Sequence, residues 1–107
     1  MSTEVLEQKL VGETVSVRLN FLSRLEVGET LATSNATVSV FAGVDAAPTA
    51  MLSGASAISG TEVVQKLVGG LPGVIYKVTA VIRTSLNNIL MNEAKVAVLT
   101  SAIVTPP

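Results

Sequence analysis

Residues 60–85, GTEVVQKLVGGLPGVIYKVTAVIRTS, read as a strand, a tight corner and a long second strand. The first strand, over 61–68, is rich in β-branched residues, which suit a pleated and half-buried surface. Gly69-Gly70-Leu71-Pro72-Gly73 stops it, because glycine supplies positive φ and Pro72 fixes φ while removing a ladder donor. The second strand, over 74–84, alternates. Tyr76, Val78, Ala80, Ile82 and Thr84 share one face, and Ile75, Lys77, Thr79, Val81 and Arg83 share the other. Leu71, Pro72, Gly73 and Tyr76 mark a structural corner at the entry to that strand.

Working outward, residues 89–99 make a last long strand, joined to the corner strand by a hairpin at Asn87-Asn88, which tolerates left-handed backbone. Upstream, 14–20 alternates cleanly, with Val15, Val17 and Leu19 on one face. Phe21, Leu22 and Leu25 have the spacing of one helical turn closed by Gly28. A short strand over 31–34 is followed by a bend at Asn35 and a further strand over 36–41. The longest loop covers 43–50, and short extended pieces follow at 51–52 and 55–58. Phe21 and Phe41 are assigned to the core. The pentapeptide QKLVG occurs at 8–12 and again at 65–69; it marks two strand ends meeting glycine turns, not a duplicated unit. About seven strands without a long helix predict an all-β sandwich. Residues 1–11 are an N-terminal arm or edge strand, 12–99 the sandwich domain and 100–107 an extended C-terminal tail ending in Pro106-Pro107.

A chain of 107 residues carries one core. Its hydrophobic share is 49% with only 3% aromatic, so the core is built from Val, Ile, Leu, Ala and Met. Charged residues make up 14%, against roughly 25% in an ordinary soluble domain, and the mean hydropathy is positive. So apolar a small chain implies that other subunits cover part of its outside. A net charge of −1, with the cations scattered singly, gives no attraction to nucleic acid or an anionic membrane. The acidic start, MSTEVLEQKL, is unlike a signal peptide, and no run reaches the length of a membrane span.

Neither histidine nor cysteine is present, which removes the commonest general base, the commonest metal ligands and the thiol nucleophile. Glu26 and Glu29 read as a solvated turn, and Asp45 as the anchor of an Asx-type turn beside Pro48. Ser53-Gly54-Ala55-Ser56 lacks the strand–elbow–helix setting of a nucleophile. Neither a GxGxxG nor a Walker-type lysine accompanies Gly69-Gly70. Asn35-Ala36-Thr37 spells a glycosylation sequon that stays idle without a signal peptide. No catalytic residue, cofactor or metal is therefore expected, and the chain reads as structural.

A lone tyrosine after a Leu-Pro-Gly corner resembles the tyrosine corner of immunoglobulin-like sandwiches, which implies that the Tyr76 ring is buried while its hydroxyl bonds a backbone group of the corner. It is also similar to that of fibronectin-type domains, with one residue fewer between Leu71 and Tyr76. The wider pattern is Phe21-x-x-x-Leu25-x-x-Gly28-Glu29-Thr30, Val38-Ser39-Val40, Gly43-x-Asp45-x-x-Pro48, Ser53-Gly54, Ile58-Ser59-Gly60, Gly69-Gly70 and Gly73-x-x-Tyr76. It resembles small β-sandwich virion structural proteins of tailed bacteriophages, over about residues 14–98. The resemblance implies an immunoglobulin-like antiparallel sandwich with an extended N-terminal arm, made in the host cytoplasm and located on the exterior of the head or neck. The first function it implies is a capsid decoration protein that bridges subunits of the major capsid protein, as a homo-oligomer such as a trimer. The alternative is a neck, collar or tail-fibre attachment module. The expected contacts are the arm over 2–10, the loop over 44–52 and the tail over 102–107, with Val5, Leu6, Leu10, Val44, Pro48, Met51, Ile103 and Val104 as the interface residues.

Overall fold

The computed structural model describes residues 6–100, with the backbone alone at 6 and 7. Two sheets pack face to face. One has the order β1(Leu6–Leu10), β7(Ile89–Leu99), β6(Ile75–Thr84), β3(Leu31–Ala42), and the other the order β2(Val15–Asn20), β5(Glu62–Leu67), β4(Ala57–Ser59). The described residues thus form an all-β sandwich of seven strands. The β6–β7 hairpin sits centrally in the larger sheet, and Asn87 turns it with φ 66. Every pairing is antiparallel except β1 with β7, which is parallel. The antiparallel expectation needs that one correction: after β1 the chain crosses to the other sheet, so the first strand lies beside the last and runs the same way.

The core is the set of inward faces that alternation predicts. Val17 and Leu19 from β2, Val63 and Leu67 from β5, Tyr76, Val78, Ala80 and Ile82 from β6, and Ala94, Val96 and Val98 from β7 are all buried, with Phe21 and Met51 closing the ends. Two strands expected around a bend at Asn35 are one strand of twelve residues. Asn35 pairs in register with Val81, and the irregularity falls instead between Leu31 and Thr33 and between Val40 and Ala42. The long alternating β6 acts as the template that holds β3 straight. The reading of Phe41 as core is corrected: it lies on the outward face of β3 with Thr37 and Ser39, its ring 53% exposed, where the Lys95 ammonium lies 3.9 Å from its centroid. The helical turn read at 21–25 is a 3-10 turn, Leu22–Arg24, and a second one covers Pro48–Met51.

The repeated pentapeptide shows how register overrides local sequence. In β5, Gln65 and Leu67 point inward and Lys66 outward; in β1, Lys9 points inward and Gln8 outward. A one-residue change of phase puts opposite members of the same sequence into the core.

Candidate interaction surface

Turns and loops collect at two poles, at opposite ends of the β6–β7 pair. The corner pole gathers the β1–β2 turn, the start of the β3–β4 loop and the β5–β6 corner. Tyr76 is fully buried. Its hydroxyl accepts the Leu71 N–H at 2.8 Å and donates to Asp45 Oδ2 at 2.7 Å. Asp45 Oδ1 accepts the Ala47 N–H at 2.9 Å, the Asx-type turn expected of it. One phenol therefore ties two loops from different parts of the chain. The hydroxyl donor, followed by the backbone bond, holds the Asp45 carboxyl below its ordinary range. Burial, followed by the carboxylate, pushes the Tyr76 hydroxyl above its own. Gly70 continues the same corner at φ +92; a Cβ there would lie 2.9 Å from Val98 Cγ2 and 3.1 Å from Met51 Cε.

Lys9 ties β1 to this corner. Its side chain is buried, and Nζ donates to the carbonyls of Gly69 at 2.7 Å and Leu10 at 2.9 Å. Burial lowers the amine from its ordinary pKa, and Glu13 opposes that. Gly69 and Lys9 belong to the two copies of QKLVG, so the lysine of the first copy meets the glycine end of the second.

The hairpin pole is held by Glu29. The sequence reading of Glu26 and Glu29 as a solvated turn is correct for exposed Glu26 and incorrect for Glu29, which is 6% exposed. Its carboxylate accepts from Thr84 Oγ1 at 2.5 Å, Asn88 Nδ2 at 3.0 Å and the Glu26 N–H at 2.9 Å. Those donors, Thr84 first, hold its pKa below the usual carboxylate range against the opposing effect of burial. The Arg24 guanidinium donates to the Met91 carbonyl, and the Ser85 N–H to Thr30 O at 2.8 Å, so the 22–30 segment is fastened onto the hairpin. Around these ties stand Leu22, Val27, Leu86, Ile89 and Met91, all exposed.

The residues expected to make contacts are distributed unevenly. Val44 is 85% exposed and Pro48 partly exposed, both on the corner-pole loop. Met51 from the same loop is 1% exposed, which overturns its reading as an interface residue: the 3-10 turn carries it into the core beneath Gly70. Leu10 is half-buried and pairs with Leu99. The backbone of Leu6 is already paired within β1, so the stretch 6–10 is part of the domain's own sheet and not a free arm. Val5, Ile103 and Val104 lie outside the described residues. What the sequence reading missed is the hairpin-pole rim. Its sequence signal is apolar residues inside turns, Val27 before Gly28 and Leu86 before Asn87-Asn88, where a monomer has no core to offer them.

Buried polar side chains (Lys9, Glu29, Gln65 and Thr84) all serve to fasten loops or strands, and among the described residues no buried side-chain nitrogen or oxygen lacks a partner. No cluster of acidic residues that would hold a metal occurs among the described residues. Residues 9–97 match the model of the family described as podophage GP4 fiber-tail adaptor protein gp77, and the chain belongs to that family. It is thus a structural component of a tailed-phage particle, in a family that is not one of enzymes. A comparison with curated proteins finds no match.

Proposed function

We propose that this protein is an adaptor in the tail region of the particle, joining a fibre to the tail body by protein contacts at its two poles. The observation that carries the reading is the family match over residues 9–97. It supports the fibre-attachment alternative of the sequence reading over the capsid decoration role placed first there, and no feature of the fold favours decoration specifically. Two separated apolar rims fit the reading, since an adaptor needs two surfaces that do not compete. The corner-pole rim consists of Val44 and Leu71 with Pro48 beside them; the hairpin-pole rim is formed by Leu22, Val27, Leu86, Ile89 and Met91. The partners are virion proteins, the fibre on one pole and the tail body on the other. The single domain over 12–99, with β1 as its edge, is the unit that docks.

The test uses particles lacking this protein, to which purified chain is added back. Wild type restores fibre attachment at a few copies per particle. Val44→Asp with Leu71→Asp loses one partner and keeps the other, and Ile89→Asp with Met91→Asp does the reverse. Binding to heads in lattice-covering numbers, or full retention of both partners by both variants, refutes the reading.

A further inference from the structure

Among the described residues four strands lie at sheet edges, and they are not alike. β1 carries Glu7 and Lys9 in five residues, β2 carries Arg18 in six, and β4 is only three residues long. β3 is twelve residues, LATSNATVSVFA, with no charge, proline or glycine. Natural edge strands are guarded by charge, proline, bulges or brevity, because an open edge pairs with any strand that reaches it. In β3 the two irregularities sit at its ends and leave Thr33 to Val40 regular. Among the described residues, no hydrogen bond from outside the β6 ladder reaches the backbone of this stretch. The crossover to β4 is tied to β3 by Ser56 Oγ and Ser34 Oγ, 2.7 Å apart. Ser34 alternates with buried Ala36 and Val38, so the tie lies on the core side of the strand and uses none of its backbone groups.

We infer that the β3 edge is a self-association surface, where β3 of a second copy pairs antiparallel and joins two four-stranded sheets into one of eight strands. The occupant follows from the strand's own chemistry. A two-fold pairing sets identical strands against each other, and any charge near the centre would then meet its own kind at about the 5 Å spacing of opposed residues. β3 has none. Its outward residues Thr33, Asn35, Thr37 and Ser39 are neutral and carry hydroxyl or amide groups suited to cross-strand pairs. Pairing with the core faces on one side requires outward residues to oppose outward residues, so Asn35 and Thr37 stand at the centre, opposite each other or themselves. Pairing over 33–40 supplies about eight backbone hydrogen bonds, close to the roughly ten of an ordinary interface. Being two-fold, the contact closes at two copies and cannot propagate along the edge. None of this rests on the fibre-attachment reading, since the β3 edge lies along the sandwich and not at either pole.

Sedimentation equilibrium of the full chain over a concentration series tests the inference. Wild type is expected to dimerise reversibly, with the β3 amides that do not bond β6 protected from hydrogen exchange at high concentration and unprotected on dilution. The variant Asn35→Lys/Thr37→Lys, changed only at exposed outward positions, should melt as wild type does while its dimer weakens roughly tenfold or more, by like charges opposed across the axis. Asn35→Asp/Thr37→Asp should do the same, and mixing the Lys and Asp variants should restore a heterodimer. Three results overturn the inference: a wild type that stays monomeric throughout, a dimer untouched by both charge variants, or an edge that is protected only when a different virion protein is added.

Discussion

Replacing Tyr76 by phenylalanine removes one oxygen and leaves the ring. The ring is fully buried, so packing is unchanged and the loss is that of the hydroxyl alone. That oxygen accepts the Leu71 N–H and donates to the Asp45 carboxylate. Removing one partner of a buried hydrogen bond costs more than the net worth of the bond, because the group left behind stays desolvated. Leu71 is half exposed, and water replaces part of what its amide loses. A cost of about 2 kcal/mol is expected, which for a domain of this size lowers Tm by roughly 10 °C. Thermal and urea unfolding measure it, and the urea slope should not change, since the surface exposed on unfolding does not. Exchange of the Leu71 amide should accelerate selectively. The effect should also fail to add to that of Asp45→Ala, because both act on one network. A Tm within a degree or two of wild type, or full additivity with Asp45→Ala, refutes the idea that the phenol ties the two loops.

Three further outcomes are expected. Glu29 and Asp45 have pKa values lowered in the fold, so the stability they give is fully present above their ordinary values of 4.5 and 3.8 and is lost as pH falls through the folded ones; acid titration of Tm should steepen below about pH 4.5, and Glu29→Gln should flatten that slope. Gly70→Ala forces a side chain into positive φ and against Val98 and Met51, at a cost of about 2–4 kcal/mol read by urea unfolding; a stable variant would mean that the corner relaxes freely. Lys9→Met keeps the buried stem and removes the donor to Gly69, so a loss of about 1 kcal/mol is expected, with faster exchange along β1. A rise in Tm would show instead that burying the ammonium costs more than its bonds return.

The long strands, the core faces and the corner were legible because they follow from alternation and turn chemistry, whereas the strand order, with β1 parallel beside β7, was not. Val74, Tyr76, Val78, Ala80 and Ile82 are buried as an alternating strand requires, and Asn87 takes the left-handed geometry its position called for. The parts that were not legible depend on tertiary partners. Nothing local to Glu29 distinguishes it from Glu26; only Thr84 and Asn88, more than fifty residues away, make it a buried anchor. Phe41 looked like core by type, although alternation sets it with Thr37 and Ser39 on the outward face of β3. Met51 looked like a loop contact, and the 3-10 turn after Pro48 turned it in. The contact surface shows the same limit: the corner-pole loop was found through its length, whereas the hairpin-pole rim emerges only when residues 22–27 are fastened beside 86–91.

The two poles differ in how they are held, and that bears on what an adaptor requires. β6 and β7 run between them for ten and eleven residues, about 30 Å at the ordinary strand rise. That length keeps a partner on one pole clear of a partner on the other. At the corner pole the ties are a phenol and an ammonium reaching backbone groups; at the hairpin pole the tie is one carboxylate with three donors. These ties use no rim side chain; Leu71 and Met91 enter them only through backbone groups. Charge substitutions on a rim should therefore leave the fold intact, and loss of a tie should loosen its own pole without disturbing the other. Binding defects can then be assigned to one surface at a time, which makes a two-partner role separable by experiment from a one-surface role such as decoration.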